Sequence, residues 1–152
     1  MRQEHEACDV TIVTPEQFPF LDMRYTHPIR FRGRVFPSAE NAFQSARFSD
    51  PTTISKFQYI PPDRAAYLGA AWRTTADNWD DRRTDILEDV LYMKFSDRPM
   101  REQLSSLPKN ARVRMLNHRH ENDLGSCQCR ACRDRGADIA GTVLSGILAK
   151  LR

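Results

Sequence analysis

A lysine occupies the apolar face of a predicted helix. Residues 81–95 carry apolar side chains at helical spacing, and Lys94 falls in the middle of their stripe, which consists of Ile86, Leu87, Val90 and Leu91. A buried ammonium must find a partner or lose its proton, because an isolated buried charge is strongly destabilising. Two interpretations follow. Lys94 is desolvated, as are lysines that form Schiff bases or hold catalytic carboxylates, or it lies at the helix end and extends to water.

Length and composition are those of one globular domain. The chain has 152 residues, of which 40% are hydrophobic and 28% charged. We expect an N-terminal tail over residues 1–17 and a single domain over residues 18–152, with a cysteine-containing loop at 117–135. The net charge of +3 permits a phosphate-bearing partner without requiring one. The N-terminus lacks the apolar core of a secretory signal, which predicts a cytoplasmic protein with no membrane partner.

The apolar pattern predicts a mainly α-helical domain of the α+β class, with a small β-hairpin and short strands. A hairpin is expected over residues 27–36 with its turn at Arg32 and Gly33, and Ser38 is expected to cap a helix over residues 39–48. Further helices are predicted from Pro62, from about Trp79, around Pro99 and after Asp138, and a short strand is predicted over residues 111–115.

Helix 39–48 carries a polar row that is a candidate binding surface. Glu40, Gln44 and Arg47 recur at i, i+4 and i+7, so they share one face. That face contacts either solvent or a ligand, and Gln44 and Arg47 suit phosphate or ribose hydroxyls. An acidic residue in the first helical turn is also favoured by the helix dipole alone. Trp79 either stacks on a base or belongs to the core.

Four sequence motifs resemble those of one known family. They are GRVFPSAENAFQ at residues 33–44 with Arg47-Phe48 after it, Asn78-Trp79 followed by Met93-Lys94-Phe95, Glu121-Asn122-Asp123, and Gly136-x-Asp138-x-Ala140-Gly141. Together they resemble the signature of the NADAR (YbiA-like) family. The resemblance extends from Phe20 to Leu151, and it implies a compact, mainly α-helical fold.

The resemblance also implies an activity, which is hydrolysis of N-glycosidic bonds of ribose phosphates. Family members are associated with removing ADP-ribose from guanine bases in nucleic acid, and others with splitting phosphoribosyl aminopyrimidine intermediates of riboflavin synthesis. In the family, the residues matching Glu40, Lys94 and Asp123 belong to the pocket. This chain departs from the family at Leu124, where many relatives have tryptophan, and at Asp138, where they have asparagine. A Ser-Asn motif near the N-terminus is reduced here to residues 21–22.

The chemistry of these residues agrees with such an activity. Breaking an N-glycosidic bond builds positive charge on the anomeric carbon, so a carboxylate must stabilise that charge and an acid must protonate the leaving nitrogen. Glu40 and Asp123 can divide those roles, although Asp123 also suits an Asx turn. A neutral Lys94 can attack the anomeric carbon and form an imine. Alternatively, Lys94 forms a buried ion pair that orients Glu40.

A cysteine cluster beside Asp123 predicts either a structural zinc site or reduced thiols. The cluster consists of Cys127, Cys129 and Cys132, with His118 as the predicted fourth ligand and His120 and Cys8 as alternatives. Four protein ligands leave no open position on zinc, so the metal would be structural. We expect no cofactor for catalysis.

Three function classes are therefore open. The first is an N-glycoside hydrolase whose substrate-binding residues are Gln44, Arg47, Trp79, Asn122 and Asp138. The second is a non-catalytic module that binds ADP-ribose or a related nucleotide, and the third is a zinc-containing nucleic-acid binder that uses the loop arginines. The expected partner is ADP-ribosylated nucleic acid or a nucleotide like ADP-ribose. An ADP-ribosyltransferase toxin is one kind of counterpart that the first class admits.

Overall fold

The computed structural model describes residues 10–115 and 138–151. These residues form, in chain order, β1 (Thr11–Val13), a 3-10 helix (Pro19–Leu21), β2 (Ile29–Phe31), β3 (Arg34–Phe36), α1 (Ala39–Ser45), α2 (Pro51–Lys56), α3 (Pro62–Ala71), α4 (Trp79–Ser96), α5 (Arg98–Ser105), β4 (Ala111–Val113) and α6 (Ile139–Leu151). The predicted mainly α-helical α+β class is confirmed. No helix in this part of the chain is both long and apolar enough to cross a membrane.

The chain divides into two compact units, which we describe separately. The central unit comprises residues 22–101, and the terminal unit comprises residues 1–21 together with 102–152. The central unit contains β2, β3 and the helices α1 to α4. The terminal unit contains β1, β4 and α6. The predicted boundaries of the tail, the domain and the cysteine loop stay predictions.

The predicted hairpin opens the central unit. Strands β2 and β3 pair antiparallel with Ile29 opposite Phe36. The two turn residues, Arg32 and Gly33, have φ values of 51° and 79°. Two-residue turns of type I′ require positive φ at both positions, and this turn follows the right-handed twist of the strands. The hairpin and its turn are therefore confirmed as predicted.

Helix α1 lies in the interior of the central unit. Ser38 caps it, since the Ser38 hydroxyl accepts a hydrogen bond from the Asn41 amide at 3.2 Å. The helix ends at Ser45, three residues earlier than predicted. The carbonyl of Arg47 instead accepts hydrogen bonds from the amides of Thr75 and Ala76 at 3.0 and 2.9 Å. All seven residues of α1 are buried, so Glu40 and Gln44 of the polar row do not face solvent, whereas Arg47 follows the helix and is partly exposed.

Helix α2 was not predicted, because six residues are too few for a periodic pattern. Its start nevertheless has a local signal in the sequence. Asp50 accepts hydrogen bonds from the amide and the hydroxyl of Thr53 at 2.9 and 3.0 Å, and Pro51 occupies the first turn. The side chain of Asn41 ties this region to α1 by donating to the carbonyls of Phe57 and Ile60, each at 2.8 Å.

Helix α4 is the longest described element of the central unit and carries the lysine. It begins at Trp79 as predicted and runs for 18 residues. Its buried face carries the apolar stripe and Lys94 together, so the helical-wheel prediction is confirmed. The core of this unit also contains large side chains from the hairpin and from α1, including Phe31, Phe36 and Phe43.

The terminal unit is built on a parallel strand pair. Strand β1 pairs with β4, with Thr11 opposite Ala111 and Val13 opposite Val113. Strand β1 lies within the segment predicted as a tail, and its three residues are too few to show alternation. Helix α6 begins after Asp138 as predicted, and its Ser145 hydroxyl accepts a hydrogen bond from the Val113 amide at 2.9 Å. The predicted strand at residues 111–115 is confirmed as β4.

Candidate active site

Lys94 is fully buried in the central unit. Its exposed fraction is 0%, so the interpretation in which it extends to water is wrong. Burial lowers the pKa of the Lys94 amine from 10.5 to about 7, and the negative charge of Asp22 partly opposes that shift. The Nζ atom donates a hydrogen bond to the Asp22 carbonyl at 3.0 Å and lies 5.7 Å from the ring centre of Tyr25. A substantial fraction of the amine is therefore neutral near pH 7.

Glu40 is a buried carboxylate with two described polar contacts. Its side chain is 8% exposed. The Oε1 atom lies 3.4 Å from Nε of Arg24, and Oε2 accepts a hydrogen bond from Nε2 of Gln44 at 3.0 Å. Both contacts stabilise a negative charge on the carboxylate. Among the described contacts, the cation that pairs with Glu40 is therefore Arg24. Lys94, which was one predicted partner of Glu40, instead donates to the Asp22 carbonyl.

One four-residue segment, residues 22–25, contacts both Lys94 and Glu40. Its first carbonyl accepts from the Lys94 amine at 3.0 Å, its second carbonyl accepts from the Glu40 amide at 2.8 Å, and its third side chain pairs with the Glu40 carboxylate. The turn is closed by a 3.0 Å hydrogen bond from the Tyr25 amide to the Asp22 carbonyl. The segment therefore joins the candidate nucleophile to the candidate carboxylate. Sequence analysis missed the role of Arg24, whose only signal was its position beside the reduced motif at residues 21–22.

A chain of hydrogen bonds continues from Glu40 through Gln44 to Arg47, which follows α1. Gln44 donates to Glu40 and accepts from Nε of Arg47 at 2.7 Å. The Arg47 guanidinium also lies 5.0 Å from the ring centre of Trp79, whose ring is 5.2 Å from that of Phe43. The structure therefore brings Glu40, Gln44, Arg47 and Trp79 together. Their roles in binding substrate stay predictions, because these contacts also stabilise the fold.

Gly69 provides the space that Gln44 occupies. It is a buried residue of α3, and a Cβ atom at this position would overlap with Oε1 and Cδ of the Gln44 side chain. A glycine inside a helix is ordinarily unfavourable, so its presence here has a packing reason. Sequence analysis did not single it out, although a glycine within a predicted helix is a signal for close approach.

We expect Gly69→Ala to destabilise the protein by about 1–3 kcal/mol, because the added methyl group must displace Gln44 from Glu40 and Arg47. Urea unfolding followed by circular dichroism measures this change. The matched control is Gly146→Ala in α6, where an added Cβ meets nothing within 4 Å. That control should stabilise the protein by about 0.5–1 kcal/mol through helix propensity. An equal gain in both variants would contradict the role of Gly69.

Asp138 lies in the terminal unit, where it organises the start of α6. It has a positive φ of 49°, and its Oδ1 atom accepts hydrogen bonds from the amides of Met115 and Gly141 at 3.1 and 3.2 Å. A Cβ at Gly141 would overlap with the Asp138 carboxyl, which explains the glycine in this motif. The predicted capping role is confirmed. A role for Asp138 in substrate binding stays a prediction.

Several predicted site residues lie outside the described residues. They are Asn122, Asp123 and the predicted zinc ligands His118, Cys127, Cys129 and Cys132. Within residues 10–115 and 138–151, no group of three or more His, Cys, Asp or Glu side chains is arranged to hold a metal ion. The structural zinc therefore stays a prediction.

The fold and the site together define a small α+β domain with a buried lysine and a buried carboxylate tied to one turn. The same fold occurs in the E. coli protein YbiA, whose NMR structure matches with a TM-score of 0.74. The match covers 93% of this chain and 84% of YbiA, at 20% sequence identity. No family model matches the chain, and no curated protein matches it. The resemblance to a YbiA-like fold that the motifs implied is thus confirmed at the level of fold.

Proposed function

We propose that this chain is an N-glycoside hydrolase of the NADAR (YbiA-like) family, and that it removes ADP-ribose from guanine bases of nucleic acid. The observation that carries the proposal is the buried Lys94 amine, with its pKa lowered to about 7, bound to the same turn as the buried carboxylate of Glu40. Titratable groups with perturbed pKa values are concentrated in active sites. The fold shared with YbiA and the four sequence motifs support the family assignment.

Glu40 has the environment that the reaction requires of a stabilising carboxylate. The transition state carries positive charge on the anomeric carbon and the ring oxygen of the ribose. A negative charge held in a buried site interacts more strongly with that positive charge than one in water. Arg24 and Gln44 fix the orientation of the carboxylate, so little reorganisation is needed during the reaction.

Lys94 supplies the nucleophile in this proposal. The neutral amine bonds to C1 of the ribose, and the bond from C1 to the base nitrogen breaks. The base nitrogen keeps the electron pair and takes a proton from an acid, a role that we propose for Asp123. The bond from C1 to the ring oxygen then breaks, the ring oxygen takes the proton that Nζ gives up, and an imine forms between C1 and Nζ. Water adds to C1, the C1–Nζ bond breaks with its electron pair returning to the amine, and free ADP-ribose is released. In the rival mechanism the amine only positions residues 22–25, and through Arg24 it positions Glu40.

The remaining predicted residues bind the substrate in this proposal. Gln44 and Arg47 contact ribose hydroxyls or phosphates, and the indole of Trp79 contributes a stacking face. For Asn122 and Asp138, a role in substrate binding rests on the sequence motifs alone. All of these residues except Trp79 carry a polar group that can form hydrogen bonds to sugar or phosphate groups.

The direct test follows release of ADP-ribose from guanine-ADP-ribosylated DNA. We expect release by the wild-type protein, and we expect Glu40→Gln to lower kcat by roughly 10²- to 10³-fold, since it removes a preorganised charge while keeping the shape of the side chain. The matched control is Glu88→Gln, an exposed position on α4, which should leave the rate unchanged.

The outcomes separate the function classes. Release of the base from a phosphoribosyl aminopyrimidine, without release of ADP-ribose from the modified DNA, would contradict the guanine substrate and support the aminopyrimidine substrate. Tight binding of ADP-ribose without turnover of either substrate would contradict the hydrolase and favour a binding module. Equal rates for Glu40→Gln and Glu88→Gln would contradict the role of Glu40.

A further inference from the structure

The β2–β3 hairpin of the central unit is flanked by two surface clefts. The Lys56 cleft has a volume of about 470 Å³ and is lined by Arg34, Thr52, Ser55, Lys56 and Tyr59, together with Pro51. The Tyr92 cleft has a volume of about 390 Å³, and its lining includes Arg30, Arg32, Asp89, Tyr92 and Met93. None of these residues makes the described contacts of Glu40 or Lys94, so both clefts are available for a separate role.

The hairpin supplies arginines to both clefts. Arg30 pairs with Val35 and Phe31 pairs with Arg34 across the two strands. Successive side chains of a strand point to opposite faces, so Arg30 and Arg34 belong to opposite faces of the hairpin. Arg32 lies in the turn between them, with its guanidinium 4.9 Å from the ring centre of Phe31. Three arginines within five residues are thereby distributed over both sides of one narrow element.

The charge of the two clefts is strongly positive. Their lining residues include four cations, Arg30, Arg32, Arg34 and Lys56, and one carboxylate, Asp89. The whole chain, in contrast, has 23 basic and 20 acidic residues. Within the described parts of the chain, none of the four cations forms an ion pair.

The described contacts of Arg32, Arg34 and Lys56 are not ion pairs. Arg34 donates to the neutral side chain of Gln58 at 2.8 Å, and the Lys56 ammonium lies 5.4 Å from the ring centre of Trp72. The carboxylate of Asp50 accepts hydrogen bonds from Thr53 and also attracts the Lys56 ammonium electrostatically, without forming an ion pair with it. The clefts therefore present positive charge to a ligand that carries negative charge.

Each cleft also presents an exposed aromatic ring. The exposed fractions are 82% for Tyr59 and 58% for Tyr92. Exposed tyrosines also occur elsewhere in this unit, as at Tyr67, but Tyr59 and Tyr92 share their clefts with the four cations. Cations that follow a phosphate backbone, combined with aromatic rings on which bases stack, are characteristic of surfaces that bind single-stranded nucleic acid.

We propose that the hairpin and its two clefts bind a single strand of nucleic acid. The four cations contact phosphates, and Tyr59 and Tyr92 stack on bases. This inference rests on the proposed function in one respect: the natural ligand of the surface is taken to be the strand that carries the modified guanine. Binding of an unmodified strand does not depend on catalysis.

The test measures binding of a short, labelled, unmodified single-stranded DNA by fluorescence anisotropy at several salt concentrations. The slope of log K against log salt is negative, and its magnitude should decrease by about 0.7 for each phosphate contact removed. The variants that test this are the doubles Arg34→Ala/Lys56→Ala and Arg30→Ala/Arg32→Ala. Tyr59→Ala and Tyr92→Ala should each weaken binding by roughly 5- to 150-fold with little change in slope.

Matched controls come from exposed residues of the same unit. Arg73→Ala/Arg82→Ala removes the same net charge, and Tyr67→Ala removes a ring that is 64% exposed. These variants should bind as the wild type does. Losses of affinity as large in the control variants would overturn the proposal, as would binding by the wild type that does not depend on salt. Duplex DNA that binds as tightly as the single strand, with an affinity that the tyrosine substitutions leave unchanged, would also overturn it.

Failure of this proposal is distinguishable from failure of the proposed function. A protein that binds the unmodified strand through these residues but never releases ADP-ribose refutes the hydrolase and supports the binding surface. Release from modified DNA with a KM that the two double variants leave unchanged refutes the binding surface and supports the hydrolase. Circular dichroism of each variant establishes that the compared proteins are folded.

Discussion

Lys94→Met is expected to abolish release of ADP-ribose, with a loss of at least roughly 10³-fold in kcat, while the protein stays folded. Lys94 is fully buried, and methionine fills a similar volume without a titratable group, so the packing around this side chain is retained. The variant removes the nucleophile and the hydrogen bond to the Asp22 carbonyl. The measurement is single-turnover release of ADP-ribose, with circular dichroism as the test of folding.

The matched control for this prediction is Lys109→Met, which makes the same change at an exposed lysine. Its rate should equal that of the wild type. The pH dependence of the wild-type rate provides a second check. Because the neutral amine is the nucleophile and its pKa is about 7, the rate should rise with pH through neutrality and level off above it. A folded Lys94→Met variant with the wild-type rate would refute the catalytic lysine.

Borohydride trapping then distinguishes the two roles of Lys94. Reduction during turnover converts an imine into a stable secondary amine, so mass spectrometry should find the sugar adduct on the peptide that contains Lys94. The Lys94→Met variant should show no adduct. Turnover by the wild type without any adduct would refute the imine route and leave Lys94 as a positioning residue for residues 22–25.

The parts of the fold that could be predicted are those with local signals. The hairpin turn at Arg32 and Gly33, the cap at Ser38 and the start of α6 after Asp138 each depend on neighbouring residues, and all three were confirmed. The parallel pairing of β1 with β4 could not be predicted, since it joins residues about one hundred positions apart in the sequence. Short pairs of this kind are determined by packing rather than by pattern.

The candidate site divides in the same way. Periodicity was sufficient to predict that Lys94 lies on a buried face, because helical spacing determines the face on which a residue lies. Periodicity does not identify the partner of a buried group. The Asp22 carbonyl is 72 residues from Lys94, and Arg24 and Gly69 reach Glu40 and Gln44 from other elements. Such contacts depend on the tertiary arrangement of four separate segments, namely residues 22–25 and the helices α1, α3 and α4.

Stability is expected to rise with pH above neutrality because of Lys94. Its pKa is about 7 in the folded protein and 10.5 ordinarily, so between these values the unfolded chain binds more protons than the folded one. The stability contributed by this group is complete above the unfolded pKa and is lost as the pH falls through the folded pKa. Because one pKa unit corresponds to about 1.4 kcal/mol, the gain is about 2–3 kcal/mol between pH 7 and pH 9.

The measurement is urea unfolding of the wild type and of Lys94→Met at pH 7 and pH 9. The difference between the two proteins isolates Lys94, since all other titrating groups are common to both. At pH 7 the variant should be the more stable protein, because it has no ammonium to desolvate, and this advantage should shrink as the pH rises. A difference that does not vary with pH would mean that the amine is not desolvated in solution, and it would remove the physical basis for a neutral lysine nucleophile at neutral pH.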